Sequence, residues 1–119
     1  MASADEKLVI AFQHHQAGRL PEAERIYREI LLEQPTCAPA WHYLGLIAHQ
    51  AGKGDVAAQL MQRALELVPD YADAHRNLGV VFSDLGRRTD AENCFRRLVE
   101  LVSSRVVRVE VVAFSETAS

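Results

Sequence analysis

Gly18, Gly52 and Gly86 recur at a step of thirty-four positions, each closing a run of apolar residues at helical spacing. The same step aligns Ala23, Ala57 and Ala91, then Tyr27, Met61 and Phe95, then Pro35 and Pro69. When small, large apolar and helix-breaking positions repeat together, each unit buries its apolar side on the next and the chain becomes a stack. A stack exposes one long curved surface instead of a deep pocket, so binding is the first function it suggests.

The local signals fit helix pairs. Ser3 and Glu6 have the spacing of a capping box at the start of a first helix, which Leu8, Ala11 and Phe12 line. That helix ends near Ala17, and Gly18 supplies the left-handed residue that releases the chain. Pro21 opens the second helix, where its missing amide costs nothing, and Ala23, Ile26, Tyr27 and Ile30 form its buried stripe until Pro35 stops it. The pattern predicts a second pair over 38–51 and 55–68, with Asp55 as N-cap and Pro69 as stop. Asp70 is expected to cap a third pair over 72–85 and 89–102, where Thr89 and Glu92 form another capping box.

Glycine inside a helix costs up to about 1 kcal/mol against alanine, so Gly45 and Gly79 need a packing reason. Helix axes come within about 8–10 Å only where the side chains at the crossing are short. Gly45 and Gly79 are therefore expected to face Ala57 and Ala91, with Trp41, Leu44, Leu78, Tyr27, Met61 and Phe95 filling the space beside each crossing.

These residues resemble the tetratricopeptide repeat, a pattern of Trp, Leu-Gly, aromatics, alanines and Pro over thirty-four positions. Residues 38–71 carry Trp41, Leu44, Gly45, Ala57, Ala64 and Pro69 in its slots, and residues 72–105 carry Leu78, Gly79, Phe82, Ala91 and Phe95. Residues 4–37 carry Ala11, Ala23, Tyr27 and Pro35, with Lys7 and His14 in place of the first two aromatics; His75 replaces the Trp of the third repeat. The resemblance implies one all-α domain over 1–119, a right-handed superhelical stack of three repeats with a C-terminal capping segment. It also implies a concave groove lined by the first helix of each pair. At the family's groove positions stand Leu8, Phe12 and His15, then His42, Leu46 and His49, then Arg76 and Val80. Phe12, Leu46 and Val80 make an apolar row suited to a peptide or helix with apolar anchors, although packing between neighbouring first helices would use the same residues. The repeated pairs His15-Gln16 and His49-Gln50 would place donors and acceptors along one rim.

Some members of this family grip acidic chaperone tails with a clamp of Lys, Asn and Arg. Leu8, Phe12, Tyr43, Asp73 and Asn77 occupy those places here, so that ligand is not expected.

The formal charge of −3 argues against nucleic acid, which draws on clustered Lys and Arg. His42 and His49 stand about 10.5 Å apart along a helix at 1.5 Å per residue, too far to share one ion, and no metal or cofactor is expected. Cys37 and Cys94 are read as reduced structural thiols. No nucleophile–base constellation or phosphate-binding loop is visible, so no enzymatic activity is expected. The chain has neither a signal-peptide pattern nor an apolar run of membrane-spanning length, which points to a cytoplasmic protein–protein interaction scaffold. The alternative is the N-terminal substrate-recognition arm of a larger enzyme, such as a glycosyltransferase or sulfotransferase, which openings like His15-Gln16-Ala17-Gly18-Arg19 resemble.

Residues 106–119 change character to a valine-rich run. As a helix they would cap the last repeat, with Val109, Val112 and Ala113 in the slots of Trp41, Leu44 and Gly45. As a strand they would need a second copy's strand as partner, so self-association through the tail is the competing expectation.

Overall fold

The computed structural model of the chain describes the backbone over 2–118 and the side chains over 2–104. Among these residues all regular structure is helical: α1 Ala4–Gln16, α2 Leu20–Glu33, α3 Ala38–Gln50, α4 Gly54–Leu67, α5 Ala72–Asp84 and α6 Arg88–Ala118. They form three antiparallel pairs, α1/α2, α3/α4 and α5/α6, stacked in chain order.

Each pair turns on one of the periodic glycines. Gly18, Gly52 and Gly86 hold φ of 80°, 78° and 76°, a region that side chains with a Cβ avoid. The flanking bonds repeat as well. Gly18, Gly52 and Gly86 donate to His15, His49 and Ser83, while Arg19, Lys53 and Arg87 donate to His14, Ala48 and Phe82 at 2.8–2.9 Å. This is the double bond pattern that closes a helix through a left-handed residue. The carbonyls of Arg19, Lys53 and Arg87 then accept from Ala23, Ala57 and Ala91, the first bonds of the next helices. One residue therefore ends one helix and starts the other.

That economy moves the helix starts. Ser3 caps α1 as expected, accepting from the Glu6 amide at 3.2 Å. Asp55 and Thr89 do not cap: α4 starts at Gly54 behind Lys53 and α6 at Arg88, because the tight turn already supplies the opening carbonyl. Likewise Tyr71, not Asp70, is the N-cap of α5. Asp55 and Asp90 sit instead inside first turns, where a carboxylate favours the helix dipole.

The core is divided between the pairs. Ala11, Ala23, Ile26, Tyr27, Ile30, Ala40, Leu44 and Ile47 join α1 and α2 to α3; Ala48, Ala57, Met61, Leu78, Val81, Phe82 and Ala91 join α3 and α4 to α5 and α6. The close crossings fall where the small residues predict. A Cβ built on Gly45 would lie 2.8 Å from Met61 Cγ and 3.2 Å from the Ala57 carbonyl oxygen, and one on Gly79 would lie 2.7 Å from the Phe95 ring. In the first pair Ala11 takes that place against Tyr27.

The missing Trp of the third pair has a substitute. Trp41 Nε1 donates to the Pro35 carbonyl at 2.8 Å, and His75 Nε2 makes the same bond to the Pro69 carbonyl at 2.8 Å. Since a carbonyl only accepts, His75 carries its proton on Nε2.

Pro35 and Pro69 separate the pairs, but Ser103 stands at the third such place and no Pro or Gly follows Gly86. Nothing breaks the helix there. α6 runs on to Ala118, so its expected end at Val102 and a separate helix over 106–119 give way to one continuous helix of 31 residues. The side chains of the expected cap lie outside the described residues.

Candidate functional site

The first helices α1, α3 and α5 stand side by side, tied by bonds that share one spacing. His15 Nε2 meets Gln50 Oε1 at 3.0 Å, His42 Nε2 meets Asn77 Nδ2 at 2.8 Å and His49 Nε2 meets Asp84 Oδ2 at 2.7 Å, each pair 35 residues apart. A residue on one first helix thus reaches the position just past its counterpart on the next. Of the rim pairs His15-Gln16 and His49-Gln50, three members, His15, His49 and Gln50, are accordingly engaged. They tie neighbouring pairs together.

His42, expected as a groove residue, is withdrawn from solvent at 2 % exposure. Its Nε2 accepts from Asn77 and its Nδ1 bonds the Tyr71 hydroxyl at 3.1 Å, so a neutral ring holds both contacts, with Nδ1–H as donor. Burial is the main cause that pushes its pKa down to about 4; the Asp73 carboxylate opposes the shift, while Arg76 and His15 reinforce it. Tyr71 and Tyr43 are raised, first by burial. His42 is a strut between α3 and α5 rather than a contact for a ligand.

The apolar row divides by depth. Leu8 and Leu46 are half-buried at the edges of the two core clusters. Phe12 and Val80 are exposed at 38 % and 41 %. Phe12 leans on Tyr43, ring centroids 5.5 Å apart, and Tyr43 stacks on the buried Tyr27 at 5.5 Å. Phe12, Tyr43, Leu46 and Val80 therefore make a stepped apolar strip across three helices. Two buried polar atoms beside Tyr43, the Tyr27 hydroxyl and His15 Nδ1, have no hydrogen-bond partner among the described residues. Arg76 pairs with Asp73 on its own helix, and His49 with Asp84, so the charges bordering the strip are largely satisfied.

A cavity of about 440 Å³ continues the same side at the start of α3 and α5, lined by Ala38, Pro39, Val68, Tyr71 and Asp73. A second, of about 510 Å³, is lined by Leu31, Leu32, Pro35, Trp41, Leu44 and Leu60 from α2, α3 and α4. Among the described residues no cluster of three His, Cys, Asp or Glu could hold a metal ion, and no helix is long and apolar enough to cross a membrane.

The sequence reading missed Asn77, Tyr43 and Tyr71 as partners of His42. For Asn77 the signal lies in a step of 35, which from each groove histidine lands on an amide or a carboxylate; Tyr43 and Tyr71 follow no such step.

The family model of the tetratricopeptide repeat matches residues 36–104, more than half of the chain. The chain belongs to the tetratricopeptide-repeat family. No curated protein matches it by sequence. Among solved structures, this tetratricopeptide-repeat chain is similar to MamA, at 18 % identity and a TM-score of 0.79 over 87 % of this chain and 61 % of that one. A further MamA structure gives 18 % identity and a TM-score of 0.75, with 87 % and 57 % covered. The second TPR of Spaghetti (RPAP3), bound to the HSP90 peptide SRMEEVD, gives 17 % identity and a TM-score of 0.78 over 82 % of this chain and 91 % of that one. The chain thus spans about three fifths of the length of MamA and nearly all of the RPAP3 repeat domain. At these identities the likeness is one of fold.

Proposed function

We propose that this chain is a non-catalytic protein-interaction scaffold whose α1–α3–α5 face takes a peptide or helix with apolar anchors. The observation that carries the reading is the exposure of Phe12 and Val80 at equivalent places two periods apart, with Leu46 half-buried between them. Packing accounts for part of each side chain, as the contact of Phe12 with Tyr43 shows, and a ligand side chain spaced to match would cover the remainder. Leu8 and Tyr43 widen the strip. Arg76, next to Asp73, and the His15 and His49 ties supply polar edges.

That a protein of the same fold binds the HSP90 peptide supports a polypeptide ligand. The chemistry here differs from recognition of an acidic tail, because Leu8, Phe12, Tyr43 and Asp73 would offer a carboxylate little and in the last case repel it. The buried thiols of Cys37 and Cys94 fit a reducing, cytoplasmic setting.

Selection from a displayed peptide library tests the reading. Peptides with apolar residues at regular spacing should bind the chain and be lost on Phe12→Glu with Leu46→Glu, while circular dichroism keeps the helical signal. Undiminished binding to the folded double variant would overturn it.

A further inference from the structure

α6 is more than twice as long as the other five helices, 31 residues against 13 or 14. It also carries an apolar face that the described residues cover only in part. Tyr27 and Met61, which α3 and α5 cover, are fully buried, whereas Phe95 at the same place is 37 % exposed. Further along, Val99 and Val102 are 62 % and 48 % exposed. Among the described residues the chain does not return over them, because α6 proceeds helically to Ala118.

The spacing of this face is specific. Phe95, Val99, Val102, Val106, Val109 and Ala113 follow one another at steps of four, three, four, three and four. That is the heptad alternation of a two-helix seam, and a strict seven-residue repeat turns an apolar stripe into a supercoil. Val99, Val106 and Ala113 fall at a positions, where β-branched residues favour two strands; Phe95, Val102 and Val109 fall at d. Arg105 lies at a g position and Glu110 at the e position five residues on, the two places that meet across a parallel pair and here carry opposite charges.

We propose that α6 pairs in parallel with α6 of a second copy of this chain along this seam. A stripe identical on both copies satisfies the two-fold symmetry of such a contact, and parallel pairing sets Arg105 beside Glu110 of the second copy. The seam holds fewer than three heptads, so the dimer forms reversibly with concentration. This contact leaves the α1–α3–α5 face free and does not depend on what binds there.

Sedimentation velocity of the full chain over a hundredfold concentration range reads the result. The expected outcome is a shift from monomer to dimer, abolished or weakened at least tenfold by Val102→Glu and by Val106→Glu, with melting of the repeats unchanged in the second. Arg105→Glu should weaken the dimer, and adding Glu110→Arg should restore it. A chain that stays monomeric throughout, or a dimer indifferent to both valine changes, would overturn the proposal. Failure of the double charge swap to restore pairing would overturn its parallel register.

Discussion

Lowering the pH from 7 to 4.5 should loosen the junction between the second and third helical pairs through His42. In the folded chain this ring is buried, and its pKa is pushed down to about 4 from the usual 6.5. The unfolded chain therefore takes up a proton as the pH falls below 6.5, while the folded chain resists until about 4. Stability is lost across that window as the pH drops, since the unfolded state binds more protons there. Integrating a depression of that size down to pH 4.5 gives about 2–3 kcal/mol, a large share of the few kcal/mol that a small domain possesses. The structural cause is visible: a protonated ring has no lone pair to accept from Asn77 Nδ2, and the charge would sit in a site that water does not reach. Asp73, Arg76 and His15 act on the ring as well, but Asp73 and Arg76 are paired with each other. The assay is urea unfolding of the chain and of His42→Gln at both pH values. Carboxylates common to both proteins lose stability alike, so the difference in their pH dependence isolates His42. The original chain should lose about 2 kcal/mol more than the variant; equal losses would refute the buried neutral strut.

Other changes probe the packing and the turns. Gly45→Leu should destabilise by roughly 1–3 kcal/mol through overpacking, because even a Cβ there meets Met61 and the Ala57 carbonyl; an unchanged melting temperature would contradict the close crossing. Gly52→Ala meets no atom within 4 Å, so its cost of about 1 kcal/mol comes from the left-handed backbone alone, and calorimetry should show no compensating gain. His75→Trp should keep the bond to the Pro69 carbonyl and match or exceed the parent stability, whereas His75→Phe loses the donor and about 1 kcal/mol; equal melting of the two variants would show the bond to be idle.

Much of this architecture is legible in the amino-acid sequence. The periodic glycines announced their positive φ because few other residues tolerate it, and Gly45 and Gly79 marked the crossings because a glycine within a helix has few other reasons to be there. Helix starts are less legible. Asp55, Asp70 and Thr89 are good capping residues by type, yet the turn backbone at Lys53, Tyr71 and Arg87 opens each helix first. The site was half visible. Positions on one helix face follow from a period, so Phe12, Leu46 and Val80 could be aligned. Depth does not follow from it, since burial depends on the neighbouring helix: Asn77 and Tyr71 on the next pair are what draw His42 inside. The end of α6 is illegible for a related reason, as a serine at position 103 neither stops a helix nor forces it to continue.

Methyl-resolved NMR of the chain, titrated with the tightest peptide from the library selection, tests the central claim most directly. The inner-face account predicts shifts at the methyl groups of Leu8, Leu46 and Val80, with Leu31, Leu32 and Leu60 around the second cavity unmoved. Shifts confined to Leu31, Leu32 and Leu60 would place the ligand on the opposite side and contradict it.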